Sequence, residues 1–221
     1  MTCRKKTWLL IAATLLCCGI MAWVDGVLRP GYAVKSAIKI VVFAAVPLVL
    51  TKVCGLIKIK EIFRFRKQGF GVALGLGLGI YALILGGWAV LRGWIDFSGI
   101  ADSLTANAGV TKEIFLYVSL YISFVNSLLE EFFFRGFVFG NLKQNRKFAY
   151  SFSALAFSVY HVAMMIGWFH PVLLALVLAG LFVGGLIFNW LNEKQDCIYV
   201  SWLTHMFANF AINTIGFILL N

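Results

Sequence analysis

Two adjacent carboxylates and an arginine, Glu130, Glu131 and Arg135 in LLEEFFFRG, lie in a run that is otherwise leucine, phenylalanine, glycine and valine. Further along, His161 closes FSVYH, and His205 and Asn209 stand four apart in THMFANF, again in apolar surroundings. On a helix, Glu131 and Arg135 share a face with the carboxylate N-terminal, the favourable order for a pair. Glu130 is turned about 100° away and looks into the bundle without a counter-charge, with Asn126 one turn before it. A dehydrated, unpaired carboxylate is suited to act as a general base or acid. Glu130 and His161 can hold and deprotonate a water. His205 and Asn209 can donate hydrogen bonds to the oxyanion formed when that water attacks a carbonyl. Such a set hydrolyses amides without a serine or cysteine nucleophile. Glu130, His161 and His205 also make a three-ligand set for a catalytic zinc, although no HExxH is present; bare and metal-bound water both stay open.

The elements that must position these residues are membrane spans. Of the 221 residues, 62% are hydrophobic and only 13% charged, with a mean hydropathy of +0.92. A soluble domain is nearer half apolar. Apolar runs of the roughly 18 residues needed to cross a bilayer recur along the chain. Seven spans are expected, at about 7–25, 36–57, 70–92, 114–140, 148–167, 171–191 and 197–220. All are read as helices, because an open strand cannot satisfy its backbone in lipid. The fold class is therefore an all-α polytopic transmembrane bundle, read as one integral membrane domain over 1–221, with the chemistry in 112–221. The basic start followed by Thr7–Val24 is read as a retained first span, since that run is long for a signal peptide. The third span, FGVALGLGLGIYALILGGWAV, is glycine-rich, which suits close helix packing.

A net charge of +10 would suggest nucleic acid in a soluble protein. Here the bases cluster in short loops between apolar runs, and anionic headgroups of membrane lipids are the expected partner, with no nucleic acid. With the N-terminus cytoplasmic, twelve Lys and Arg outside the spans fall inside and four (Arg29, Lys35, Arg92 and Lys112) fall outside, the positive-inside pattern. KIKEIFRFRKQ, residues 58–68, reads as an anchoring loop or a short amphipathic segment on the inner surface. The longest outer loop, about 93–113, reads as a connector. The five cysteines show neither a disulfide framework nor a zinc spacing, and read as small apolar fillers.

Singly, each polar residue has a plainer reading: His161 as a helix-to-helix hydrogen-bond partner, Asn209 as interhelical glue, Glu131–Arg135 as a structural pair, His170 before Pro171 as surface. Together they read differently. Glu130 lies about ten residues from the inner end of its span, His161 about thirteen, His205 about eight and Asn209 about twelve. At about 1.5 Å per residue all four fall roughly 12 to 20 Å above that face. A common depth on three helices favours a site. Buried Glu and His also mark proton-coupled transporters, but those carry inverted repeats with interrupted helices in both halves, and no repeat is visible. A non-catalytic immunity or scaffold protein is a further alternative.

The order EExxxR (Glu130, Glu131, Arg135), FxxxH (Phe157, His161) and HxxxN (His205, Asn209) resembles the three motifs of the CPBP intramembrane proteases. These comprise the type II CAAX prenyl endopeptidases and the bacterial Abi-type, bacteriocin-processing and immunity relatives. The resemblance covers about 112–221. It implies Glu130 and His161 as water activators, His205 and Asn209 as oxyanion stabilisers, and Glu131 and Arg135 as support for the site. It implies either one zinc or no cofactor, since the family is described both as metalloprotease and as glutamate-dependent. It also implies a membrane-associated peptide or protein substrate, from CAAX-type processing or from bacteriocin processing and self-immunity. Seven spans are one fewer than the eight associated with the eukaryotic enzymes, and the compact chain is nearer the bacterial branch, which points to a bacterial plasma membrane.

Overall fold

The computed structural model describes residues 3–56, 59–95, 97, 105, 109–165 and 170–220. Seven helices among them are long and apolar enough to cross a membrane: α1 Arg4–Leu28, α2 Tyr32–Cys54, α3 Phe70–Leu91, α4 Lys112–Leu142, α5 Arg146–Met165, α6 Pro171–Gln195 and α7 Ile198–Leu220. They coincide with the seven expected spans to within a few residues, and residues 166 and 167 of the fifth lie outside the described residues. No strand occurs among the described residues. Most of the expected 93–113 connector also lies outside them.

Local chemistry sets the helix ends. Asn145 caps α5 by accepting from the Phe148 N–H at 3.3 Å. His170 does the same for α6 from the exposed surface, accepting from the Val172 N–H at 3.4 Å, with Pro171 in the first turn. Gly69, just before α3, has φ +86, a conformation that favours glycine. One end of the bundle carries the basic connections. There Lys6 Nζ donates to the Gly55 carbonyl at 3.1 Å, and Arg66 pairs with Asp196 at 2.9 Å. Arg146 grips Glu193 with two nitrogens, each at 2.9 Å from a different carboxylate oxygen. In the 58–68 segment, Ile59–Ile62 forms one helical turn. Ile62 is buried, and a Cβ on Gly136 of α4 would lie 2.6 Å from its Cγ2. Phe63 stacks on Phe132 at 5.5 Å, while Lys60, Arg64 and Lys67 face outward. The segment is thus sided, apolar toward α4 and basic away from it.

The centre of the bundle is α4. Every residue from Glu131 to Phe139 is buried, under α2, α5, α6 and α7. Phe133 stacks on Phe43 of α2 at 4.2 Å, and Phe134 meets Phe157 of α5 edge-on at 5.3 Å. Two stretches of α4, Tyr121–Asn126 and Glu131–Phe139, wind as wide π-type turns. Such turns swing carbonyls off the helix axis and recur at functional sites. Donors from α7 meet those carbonyls: Trp202 Nε1 reaches Phe124 O at 3.0 Å, and Asn209 Nδ2 reaches Ile122 O at 3.1 Å. Asn213 Nδ2 reaches Ser119 O at 3.2 Å, one turn earlier. In lipid no water can take these groups, so the donor ladder fixes the rotation of α7 on α4.

The glycine-rich α3 packs against α7, but its glycines are not a continuous contact stripe. Gly77 alone among them is pressed: a Cβ there would meet Phe207 Cδ2 at 2.5 Å, whereas Gly71, Gly75, Gly79, Gly86 and Gly87 have nothing within 4 Å. Close packing therefore rests on one glycine, and α3 meets α7 elsewhere through other residues: Ala73 is fully buried with its carbonyl 3.3 Å from Thr204 Oγ1, and Tyr81 OH lies 3.2 Å from Thr214 Oγ1. Gly77→Val is expected to cost about 1–3 kcal/mol of stability by overpacking. Gly79→Val should leave melting in detergent unchanged. Equal melting of the two variants would contradict this crossing.

Candidate active site

Four helices bring their polar side chains together inside the bundle. Glu130 of α4 is 2% exposed, His161 of α5 7% and His205 of α7 5%. Glu130 Oε2 lies 3.9 Å from His161 Nε2 and 3.7 Å from His205 Nε2. Both separations exceed a direct hydrogen bond and suit a bridging water.

His161 sits where α5 tightens. Its N–H bonds back three residues to Ser158 O at 3.1 Å. The ring Nδ1 reaches the Phe157 carbonyl at 2.7 Å. A carbonyl only accepts, so Nδ1 carries the hydrogen, and in the neutral ring Nε2 is the base that faces Glu130. His205 is held differently. Its Nδ1 lies 3.0 Å from Glu131 Oε1, and its ring lies parallel to Phe188 of α6 with centroids 5.0 Å apart. Glu131 in turn stands 3.2 Å from Arg135 NH1, one helical turn on, both fully buried. The Arg135 guanidinium lies 4.3 Å from the Phe157 ring and 4.9 Å from Phe188, cation–π contacts that replace water around a dehydrated charge.

Adjacent carboxylates thus have separate tasks, as the helical 100° step dictates. Glu131 orients His205 and neutralises Arg135, and Glu130 faces the two imidazoles. Asn209 lies one turn beyond His205 on α7, half-buried, with its amide on Ile122 O. One amide hydrogen is used there, and an Asn amide has a second.

One expectation needs correcting. Glu130 does not lack a counter-charge. Lys39 of α2, 5% exposed, places Nζ 2.5 Å from Glu130 Oε1 and 2.5 Å from Asn126 Oδ1. Asn126 Nδ2 donates to the same Oε1 at 3.1 Å. Sequence reasoning gave Asn126 its place beside Glu130 but gave Lys39 no role. The available signal was the one used for Glu130, an ionisable residue inside an apolar span.

A zinc is among the implied groups, and the donor set can be tested for it. Tetrahedral ligands about 2.0–2.1 Å from zinc stand roughly 3.4 Å apart. The Glu130–imidazole separations come near that, but a lysine ammonium sits 2.5 Å from the other oxygen of the same carboxylate. Among the described residues no group of three His, Cys, Asp or Glu is arranged to hold a metal. The residues as placed do not fit a zinc centre, and no step below runs through one. The cysteines Cys17, Cys18, Cys54 and Cys197 are free.

Helices, burial and polar cluster define a class: an integral membrane protein with a carboxylate–imidazole centre inside its bundle. Residues 112–211 match the family model described as type II CAAX prenyl endopeptidase Rce1-like. The match covers just under half of the chain, and over those residues the chain is similar to this family of CPBP-type proteases. Glu130, His161, His205 and Asn209 fall within that segment, and Lys39 lies outside it. The family supports intramembrane endopeptidase activity of the CAAX type, on a membrane-associated peptide or protein. No curated protein and no solved structure matches the chain significantly.

Proposed function

We propose that the chain is an endopeptidase that cleaves a peptide bond of a membrane-associated protein or peptide with a water activated by Glu130 and His161. The observation that carries this reading is the placement of Glu130 Oε2 within 4 Å of two imidazole Nε2 atoms from two other helices. Glu130 Oε2 and His161 Nε2 both accept, so a water between them donates both hydrogens and keeps its lone pairs for attack. As the water oxygen bonds to the carbonyl carbon, its proton passes to Glu130. The oxyanion accepts from the second Asn209 amide hydrogen and from His205 Nε2–H. For that donation His205 must be the imidazolium, with Glu131 behind Nδ1 as its counter-ion. Collapse breaks the C–N bond, and Glu130 returns the proton to the leaving amine.

Residues 112–221 form the catalytic core in this reading, with the basic end of the bundle at the cytoplasmic face. CAAX-type processing and bacteriocin processing are the substrate classes. Mass spectrometry of membrane peptides from cells with wild-type protein, Glu130→Gln and His161→Gln tests it. The expected result is a peptide pair produced by wild type and absent from both variants. Peptide profiles that do not differ between the three would overturn the reading. Asn209→Ala is expected to slow cleavage of that substrate by about 10² to 10³, the usual cost of one oxyanion donor. An unchanged rate would remove Asn209 from the mechanism.

A further inference from the structure

Beside the two imidazoles, the buried cluster carries two carboxylates, Glu130 and Glu131, and two cations, Lys39 and Arg135. Arg135 belongs to Glu131. The other cation, Lys39, comes from α2, more than 70 residues before the Rce1-like segment. Its ammonium donates to Glu130 Oε1 and Asn126 Oδ1, each at 2.5 Å. The rings of Tyr160 at 5.0 Å and Phe43 at 5.5 Å also face it, and the Lys35–Asp25 pair is a further charged neighbour. Two acceptors and two aromatic faces enclose the ammonium, so it is a built contact rather than a lysine reaching for the headgroups.

We propose that Lys39 is a positioning residue for Glu130, acting through charge and aim. As counter-ion it keeps the carboxylate ionised in a setting where a lone one takes up a proton. By occupying Oε1 together with Asn126, it leaves Oε2 as the oxygen that faces His161 and His205. The functional unit then extends beyond residues 112–211 to α2. A lysine that only joined two helices would affect assembly and leave the turnover of folded molecules unchanged. The kinetic part of this inference rests on the proposed peptidase reading, and the ion pair does not.

The test has two arms, both on the full chain in lipid nanodiscs. The first is infrared spectroscopy. Wild type compared with the double variant Lys39→Met/Glu130→Gln should show no carboxylic-acid C=O stretch belonging to Glu130. Lys39→Met compared with the same double variant should show one. A Glu130 acid band in wild type, or none in folded Lys39→Met, overturns the proposal. The wild-type comparison stands even if Lys39→Met fails to fold, because the double variant removes both charges. The second arm is kinetic, on the substrate found by peptide profiling. Lys39→Met should lower kcat about 10²-fold or more, the scale of general-base catalysis, with KM little changed. Lys39→Arg, which restores the charge, should recover part of it. Wild-type kcat in folded Lys39→Met overturns the positioning role. If no substrate exists, the peptidase reading fails while the infrared arm still decides the ion pair.

Discussion

Glu130→Gln is expected to abolish hydrolysis and, in the same molecule, to destabilise the bundle. The rate effect follows from removing the base while keeping its shape, and is expected to reach at least about 10² to 10⁴. The stability effect follows from Lys39. Its Nζ sits 2.5 Å from Glu130 Oε1 with both side chains under 10% exposed. A glutamine there leaves a buried ammonium with only amide acceptors, and breaking a buried pair from one side costs about 3–5 kcal/mol. Adding Lys39→Met removes the stranded charge, and a buried ion pair replaced by apolar groups is often neutral or stabilising. The double variant should therefore melt near wild type while staying inactive. Thermal melting in detergent beside a cleavage assay separates the two effects. Glu130→Gln that cleaves at wild-type speed would end the catalytic assignment. A Glu130→Gln protein that melts later than the double variant would end the ion-pair account.

Glu131→Gln should do its main damage to assembly. Arg135 is fully buried and has Glu131 3.2 Å away as its carboxylate. Losing that partner is again worth about 3–5 kcal/mol, read as low yield and early melting. Pairing it with Arg135→Met should restore yield. Activity should stay low, because His205 Nδ1 then faces an amide instead of a carboxylate and the imidazolium has no counter-ion. If the double variant turns over as wild type does, Glu131 supports only the fold, and His205 does not act as a cation.

The seven spans were legible because lipid allows few alternatives. A segment in hydrocarbon must be apolar for its whole length and must bond its own backbone. The approach of Glu130, His161 and His205 was legible for the complementary reason, since charge and imidazole are costly there and stand out. Lys39 was not. It lies near the Tyr32 end of α2, where a lysine reads as one that bends its long stem toward the headgroups. Sequence gives the height of its Cα but not the direction of its stem, and that direction decides whether Glu130 has a counter-ion. The wide turns of α4 were also invisible, since no proline marks them and apolar periodicity barely changes when a turn gains one residue. The glycines of α3 misled in the opposite sense. Small residues permit close approach without requiring it, and only Gly77 meets a neighbour.

The pair between Lys39 and Glu130 joins positions 91 residues apart, which has a consequence for biogenesis. A ribosome adding roughly 5–20 residues per second makes the lysine roughly 5 to 18 s before the glutamate. During that interval α2 holds a cation with no anion to meet it. Until α4 arrives, the lysine's long stem can reach for the headgroups at the Tyr32 end of α2. The enclosed ion pair is therefore made late in synthesis, when α4 docks and draws the lysine stem inward from the headgroups.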